Sequence, residues 1–169
     1  MSKKYRGPVC ISVALVIMVI VFISSSMTYK EQSLVPVFSH FSGFFDWIGS
    51  LPLINKIRFQ YGNVMVSFEE GERIAAVEFF IRKGAHFLTF FMIGFFWCRG
   101  LILSKTKIWL SVLVSIIIGV SYAGFDEFHQ GITGGRTPLM LDVILDSFGA
   151  IVGVTVAYLI HHSKRRLKF

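Results

Sequence analysis

Apolar residues along the chain gather in four runs, Pro8 to Ser24, Gly84 to Leu103, Ile108 to Phe125 and Leu139 to Ile160, with polar segments between them. A helix rises ~1.5 Å per residue and a hydrocarbon core is roughly 30 Å thick, so each run is about long enough to cross a bilayer. The pattern predicts transmembrane helices at about 8–27, 77–103, 108–125 and 139–161. The loop 28–76 carries a different rhythm. Phe38, Phe41, Phe44, Phe45, Trp47 and Ile48 are interspersed with His40, Ser42 and Asp46, which suits a short helix lying along a membrane interface. After Pro52, Ile57, Phe59 and Tyr61 alternate with polar positions, Gly62-Asn63 follows, and Val64, Val66 and Phe68 resume the alternation, as in a β-hairpin. The predicted fold is an all-α membrane protein, one domain over 1–169, with four transmembrane helices and a structured extracytoplasmic loop between the first two.

Two helices carry small-residue stripes. Ser111, Ser115, Gly119 and Ala123 recur every four residues in the third, and Gly149, Gly153 and Ala157 are expected to answer them from the fourth. Asp142, Asp146, Gly149 and Gly153 advance by four, three and four, so both carboxylates are expected to face protein and not lipid.

Composition reinforces the membrane reading: of 169 residues 54% are hydrophobic, and 18 are Phe. The net charge of +7 raises nucleic acid as a partner, and the distribution of that charge argues against it. Lys3, Lys4 and Arg6 precede the first helix, Arg99, Lys105 and Lys107 join the second to the third, and Lys164, Arg165, Arg166 and Lys168 follow the fourth, with no Asp or Glu among them. That is the positive-inside pattern, with both termini cytoplasmic and the lipid bilayer as the partner. The basic start and the Ser24-Ser25-Ser26 run also resemble a signal peptide, but the apolar core is long for one, so a retained helix is expected. Cys10 and Cys98 fall on the reducing side, and no disulfide is expected.

The candidate chemistry lies at the other ends of the helices. Lys83 and His86 begin the second helix, Asp126, Glu127 and Gln130 follow the third, Arg136 lies in a Gly-rich loop, and Asp142 begins the fourth. The topology brings these seven to one outer level, where they are expected to line a ligand pocket. The segment Thr133-Gly134-Gly135-Arg136-Thr137-Pro138 sets backbone amides beside a guanidinium, which suits an anionic group such as phosphate or carboxylate. The plainer alternative is an ion-pair network that ties helix ends together. His86 with Asp126 or Glu127 is the candidate catalytic set for acid/base work. His86, Asp126, Glu127, His129 and Asp142 could ligate a metal, but no HExxH or CxxC spacing is present and basic residues compete, so no metal and no cofactor is expected.

These residues resemble the VanZ-like family of bacterial membrane proteins. The resemblance rests on Arg82-Lys83-Gly84-Ala85-His86-Phe87, Asp126-Glu127-Phe128-His129-Gln130, Gly135-Arg136 and the segment from Asp142 to Gly149, and spans roughly 57–153. The family more often has Asn where this chain has Asp146. It is named for a protein of glycopeptide-resistance clusters that lowers susceptibility to teicoplanin. The resemblance therefore implies a cell-envelope role in a bacterium, and it implies no particular reaction. Three functions follow as expectations: binding of an anionic envelope component, such as a lipid-linked cell-wall precursor, or of a lipoglycopeptide; a hydrolase or transferase acting on a lipid-linked substrate; and a structural or partner-binding protein. The small-residue stripes serve contacts within or between chains equally well, so the oligomeric state stays open.

Overall fold

The structure, a computed structural model, describes residues 5–28, 31, 33–49, 51–52, 54–133 and 137–166. It forms two compact units, one of Met1–Met27 with His86–Phe169 and the other of Thr28–Ala85.

The first unit holds α1 (Arg6–Ser25), the greater part of α4 (Arg73–Leu103), α5 (Ile108–Thr133) and α6 (Met140–Arg166). All four helices are long and apolar enough to cross a membrane. Val16, Val19, Ile20 and Ile23 on α1 and Leu113 and Ile117 on α5 are exposed, as lipid-facing side chains are. Inside, Val21, Phe90, Ile93, Ala123 and Ala150 form one buried apolar cluster, and Cys98, Ile102, Val154 and Ala157 form a second.

Small residues set how closely the helices approach. A Cβ on Gly153 would meet the Phe91 carbonyl oxygen at 2.0 Å, and one on Gly149 the Phe87 carbonyl oxygen at 2.5 Å. The α6 glycines therefore face α4. It is the next residue round, Ala150, that meets Gly119 of the α5 stripe. The expected answer of α6 to α5 is thus shared between two neighbours, because adjacent helical positions differ by about 100° in direction.

α4 ends in a Schellman motif. The Thr106 N–H donates to the Leu101 carbonyl and the Lys105 N–H to that of Ile102, with Lys105 at φ 66°.

α5 runs eight residues past the apolar run that predicted it, to Thr133, so Asp126, Glu127 and Gln130 belong to a helix and not to the loop after it. The physical reason is continuity of the buried stripe. Ser111, Ser115, Gly119 and Ala123 are followed on the same face by Asp126, Glu127 and Gln130, all buried. A change from small to polar side chains hides this continuation from hydropathy, and not from phase.

The second unit holds α2 (Val35–Phe38), a 3₁₀ turn at Ser39–Phe41, α3 (Ser42–Gly49), the antiparallel strands β1 (Arg58–Tyr61) and β2 (Val64–Ser67), and the start of α4. Pro36 suits the first turn of α2, where its missing N–H costs nothing. Phe41, Phe44 and Trp47 project outward from the aromatic segment while Phe45 is buried. The hairpin pairs Arg58 with Ser67 and Tyr61 with Val64, and Gly62 adopts the positive φ, 57°, that the first central residue of a II′ connection needs. Val66, Phe68 and Ala76 make the small core, with Ile54, Tyr61, Val77 and Phe79 around it.

Glu78 is 2% exposed and carries most of this unit's buried polarity. It accepts from Arg82 Nη2 at 2.7 Å, from the Leu34 N–H at 3.1 Å and from the Ser33 hydroxyl at 3.3 Å. Arg82 therefore reaches back along its own helix.

Candidate functional site

In the first unit, polar side chains from four helices converge above the apolar cluster. α1 contributes Ser25, its last residue, α4 contributes His86, α5 contributes Asp126 and Gln130, and α6 contributes Asp146. Helical phase delivers each of them. Asp126 and Gln130 are one turn apart on the buried face of α5, and Asp146 shares its face with Gly149 and Gly153.

Ser25, Asp126, Gln130 and Asp146 are all buried, and His86 is partly open, with 30% of its side chain exposed. The Ser25 hydroxyl donates to Asp126 Oδ1, and Gln130 Nε2 donates to Asp126 Oδ2 at 2.7 Å. Gln130 also reaches the Ser25 hydroxyl at 3.4 Å, and the Thr133 hydroxyl meets the Ser25 carbonyl at 3.1 Å, so the end of α1 is fastened to α5 at several points. His86 Nδ1 lies 3.3 Å from Asp146 Oδ2. The other oxygen of Asp146 is buried and has no hydrogen-bond partner among the described residues.

One donor atom each from His86, Asp126 and Asp146 falls within 4.8 Å of the others. Two unit negative charges 4.8 Å apart repel by about 3.5 kcal/mol at an effective dielectric constant of about 20. Among the described residues His86 is the basic side chain in contact with this carboxylate pair, and no Lys or Arg stands within ion-pairing distance of it. Aromatic side chains also tie α4 and α5 to α1. The Tyr122 hydroxyl donates to the Met18 carbonyl, Trp97 Nε1 approaches Met18 Sδ at 3.4 Å, and His129 stacks on Phe22 at 4.4 Å.

Three of the seven residues expected to line one pocket meet here. His86, Asp126 and Gln130 are in the cluster. Glu127 is buried beside Asp126 in sequence and turns to the start of α6, where it accepts from the Leu139 N–H at 2.7 Å. Asp142 is half-buried in the first turn of α6. Lys83 belongs to the second unit, where its ammonium lies 4.9 Å from the centre of the Tyr61 ring and 5.6 Å from that of Phe79. Arg136, with Gly134 and Gly135, lies outside the described residues. His86 contacts Asp146, and an oxygen of Asp126, one of its expected acid/base partners, falls within the same 4.8 Å group.

Two members of the cluster were not anticipated as site residues. Asp146 was legible as inward-facing from its phase with the glycines, but nothing in the sequence paired it with His86, 60 residues away. Ser25 carries no signal at all, since a serine at a helix end is unremarkable until the helix has a neighbour.

Four helices that can cross a bilayer and that enclose carboxylates, an imidazole, an amide and a hydroxyl define a multi-pass membrane protein with a buried polar site. More particularly, the chain belongs to the VanZ/LLP1 family, whose profile matches residues 10–161. No curated protein and no solved structure matches it.

Proposed function

We propose that this VanZ-family protein lowers the susceptibility of the cell envelope to teicoplanin or other lipoglycopeptides, and that the polar cluster of His86, Asp126, Gln130 and Asp146 is where it works. In this reading the termini are cytoplasmic and the cluster opens outward. The ligand is an anionic envelope component or the drug itself, and Arg136 holds its charge. The observation that supports the reading is the number of polar groups buried together. Ser25, Asp126, Gln130 and Asp146 all leave lipid and water for one spot, which is more intramembrane polarity than helix packing requires.

The test is teicoplanin susceptibility of a deletion strain complemented with wild type, His86→Ala, Asp126→Asn, Asp146→Asn or Arg136→Ala, with the membrane abundance of each protein quantified. Variants that accumulate normally and fail to protect support a working site. Protection that falls only in step with abundance overturns it, and leaves the cluster as a staple between helices.

The His86–Asp146 contact favours a second reading, a membrane enzyme acting on a lipid-linked envelope substrate. The carboxylate would orient the imidazole for proton transfer, as acid/base pairs require. Incubating purified protein with envelope lipid extracts and following the lipid pool by mass spectrometry tests it, and an unchanged pool rejects it.

A further inference from the structure

We propose that His86, Asp126 and Asp146 form a site for one divalent metal ion of the zinc or manganese class. Three helices deliver one donor each, and the donor atoms lie within 4.8 Å of one another. Ligands about 2.1 Å from a zinc ion sit roughly 3–4 Å apart, so the cluster needs to tighten by only about an ångström. The partly exposed His86 ring can supply that movement.

The second observation is Asp146 itself. Its side chain is 5% exposed, and Oδ1 is buried without a hydrogen-bond partner among the described residues, beside the one oxygen that meets His86. Native proteins rarely leave a buried carboxylate oxygen so, and an ion at the cluster would satisfy it. Asp126 fits the same assignment. Its bonds from Ser25 and Gln130 use one lone pair on each oxygen and leave others for a metal, while fixing the carboxylate's orientation as the outer partners of metal ligands do.

The charge and softness of the donors point to the ion. Two carboxylates balance a dication, and an imidazole nitrogen among them favours zinc or manganese over magnesium or calcium, which prefer all-oxygen shells. Neither motif spacing nor local sequence announces the site, because its ligands are separated by 40 and 20 residues and meet only through helix packing. The inference rests on the functional reading above only in taking this cluster as the working site. It also removes a difficulty of that reading, since a carboxylate pair repels an anionic ligand unless a cation stands between them.

The experiment uses the full-length chain without a histidine tag, purified in detergent and stripped with chelator. Zinc and manganese are titrated separately and bound metal is measured after dialysis, with cobalt absorption bands as a spectroscopic check on nitrogen and oxygen ligation. One ion per chain is expected for zinc or manganese. Asp146→Asn and His86→Gln should each weaken binding by at least about tenfold, and the exposed-surface control Glu69→Gln should bind as wild type. Wild-type protein should also melt higher in excess zinc and not in excess magnesium, a readout that survives if a variant fails to fold. Wild type that retains no ion and shows no zinc-dependent rise overturns the site, as does undiminished binding by folded Asp146→Asn and His86→Gln. Metal binding without a drug phenotype overturns the functional reading alone. Protection by a chain that binds no metal overturns this inference alone.

Discussion

Replacing Gly153 by Ala tests whether the α4–α6 crossing is set by backbone contact. The added methyl would stand 2.0 Å from the Phe91 carbonyl oxygen and 2.9 Å from both Phe91 C and Phe95 N. Ordinary contact starts at 3.4 Å, so the shortfall at the oxygen is 1.4 Å. All three atoms are backbone, so no rotamer change relieves them and the helices must part. Overpacking of this kind costs ~1–3 kcal/mol, against which Ala gains up to ~1 kcal/mol in helix propensity over Gly, leaving a net loss of up to about 2 kcal/mol. Gly124→Ala on α5 is the matched control, because nothing lies within 4 Å of its added Cβ and only the propensity gain of up to ~1 kcal/mol remains. At ~2–4 °C per kcal/mol for a chain of this size, the ~1–3 kcal/mol overpacking cost should make the two variants melt roughly 2–12 °C apart in detergent, Gly153→Ala at or below wild type and Gly124→Ala at or above it. A Gly153→Ala protein that melts with Gly124→Ala would refute the close-contact argument. Since His86 and Asp146 ride on the same two helices, parting them should also lengthen that 3.3 Å contact.

Three further outcomes follow from single side chains. Glu78→Ala should destabilise the second unit by about 1–3 kcal/mol, since it removes the buried acceptor of the Leu34 N–H and the Ser33 hydroxyl together with the 2.7 Å ion pair to Arg82, and limited proteolysis within 28–85 should accelerate. Lys105→Gly should stabilise by about 1 kcal/mol by removing the cost of a side chain at φ 66°, read as a higher melting temperature; an unchanged or lower one counts against the Schellman assignment. Glu127→Ala should release the Leu139 N–H and lose about 1–3 kcal/mol locally, which hydrogen exchange at the first turn of α6 will detect as faster exchange there than at the second turn.

The helices were legible because lipid demands long apolar runs, and the hairpin because Gly62-Asn63 interrupts a clean alternation. The inward orientation of Asp146 was legible for the same kind of reason, since Gly149 and Gly153 mark the face that touches protein. What hydropathy could not show was the length of α5. Asp126, Glu127 and Gln130 end an apolar run but not a helix, and only the unbroken phase from Ser111 onward records this. Nor could the sequence divide neighbours in the chain. Lys83 and His86 are three residues apart, yet one meets Tyr61 and the other Asp146, and those partners lie far away along the chain in opposite directions. Ser25 and Asp126 show the limit most plainly, because a hydrogen bond across 101 residues leaves no local trace.

The long-range polar pairs also have an order in time. A ribosome delivers Ser25 before Asp126, and His86 before Asp146, so each carboxylate enters the membrane after a side chain that it will meet. An Asp near the middle of a lone transmembrane helix costs about 2.5–3.5 kcal/mol to insert. α5 also brings Gln130 to Asp126 as soon as its own last turns form. Synthesis from the N-terminus thus brings each acid into the bilayer after a partner, whereas the reverse order of helices would leave Asp126 with Gln130 alone and Asp146 ahead of His86.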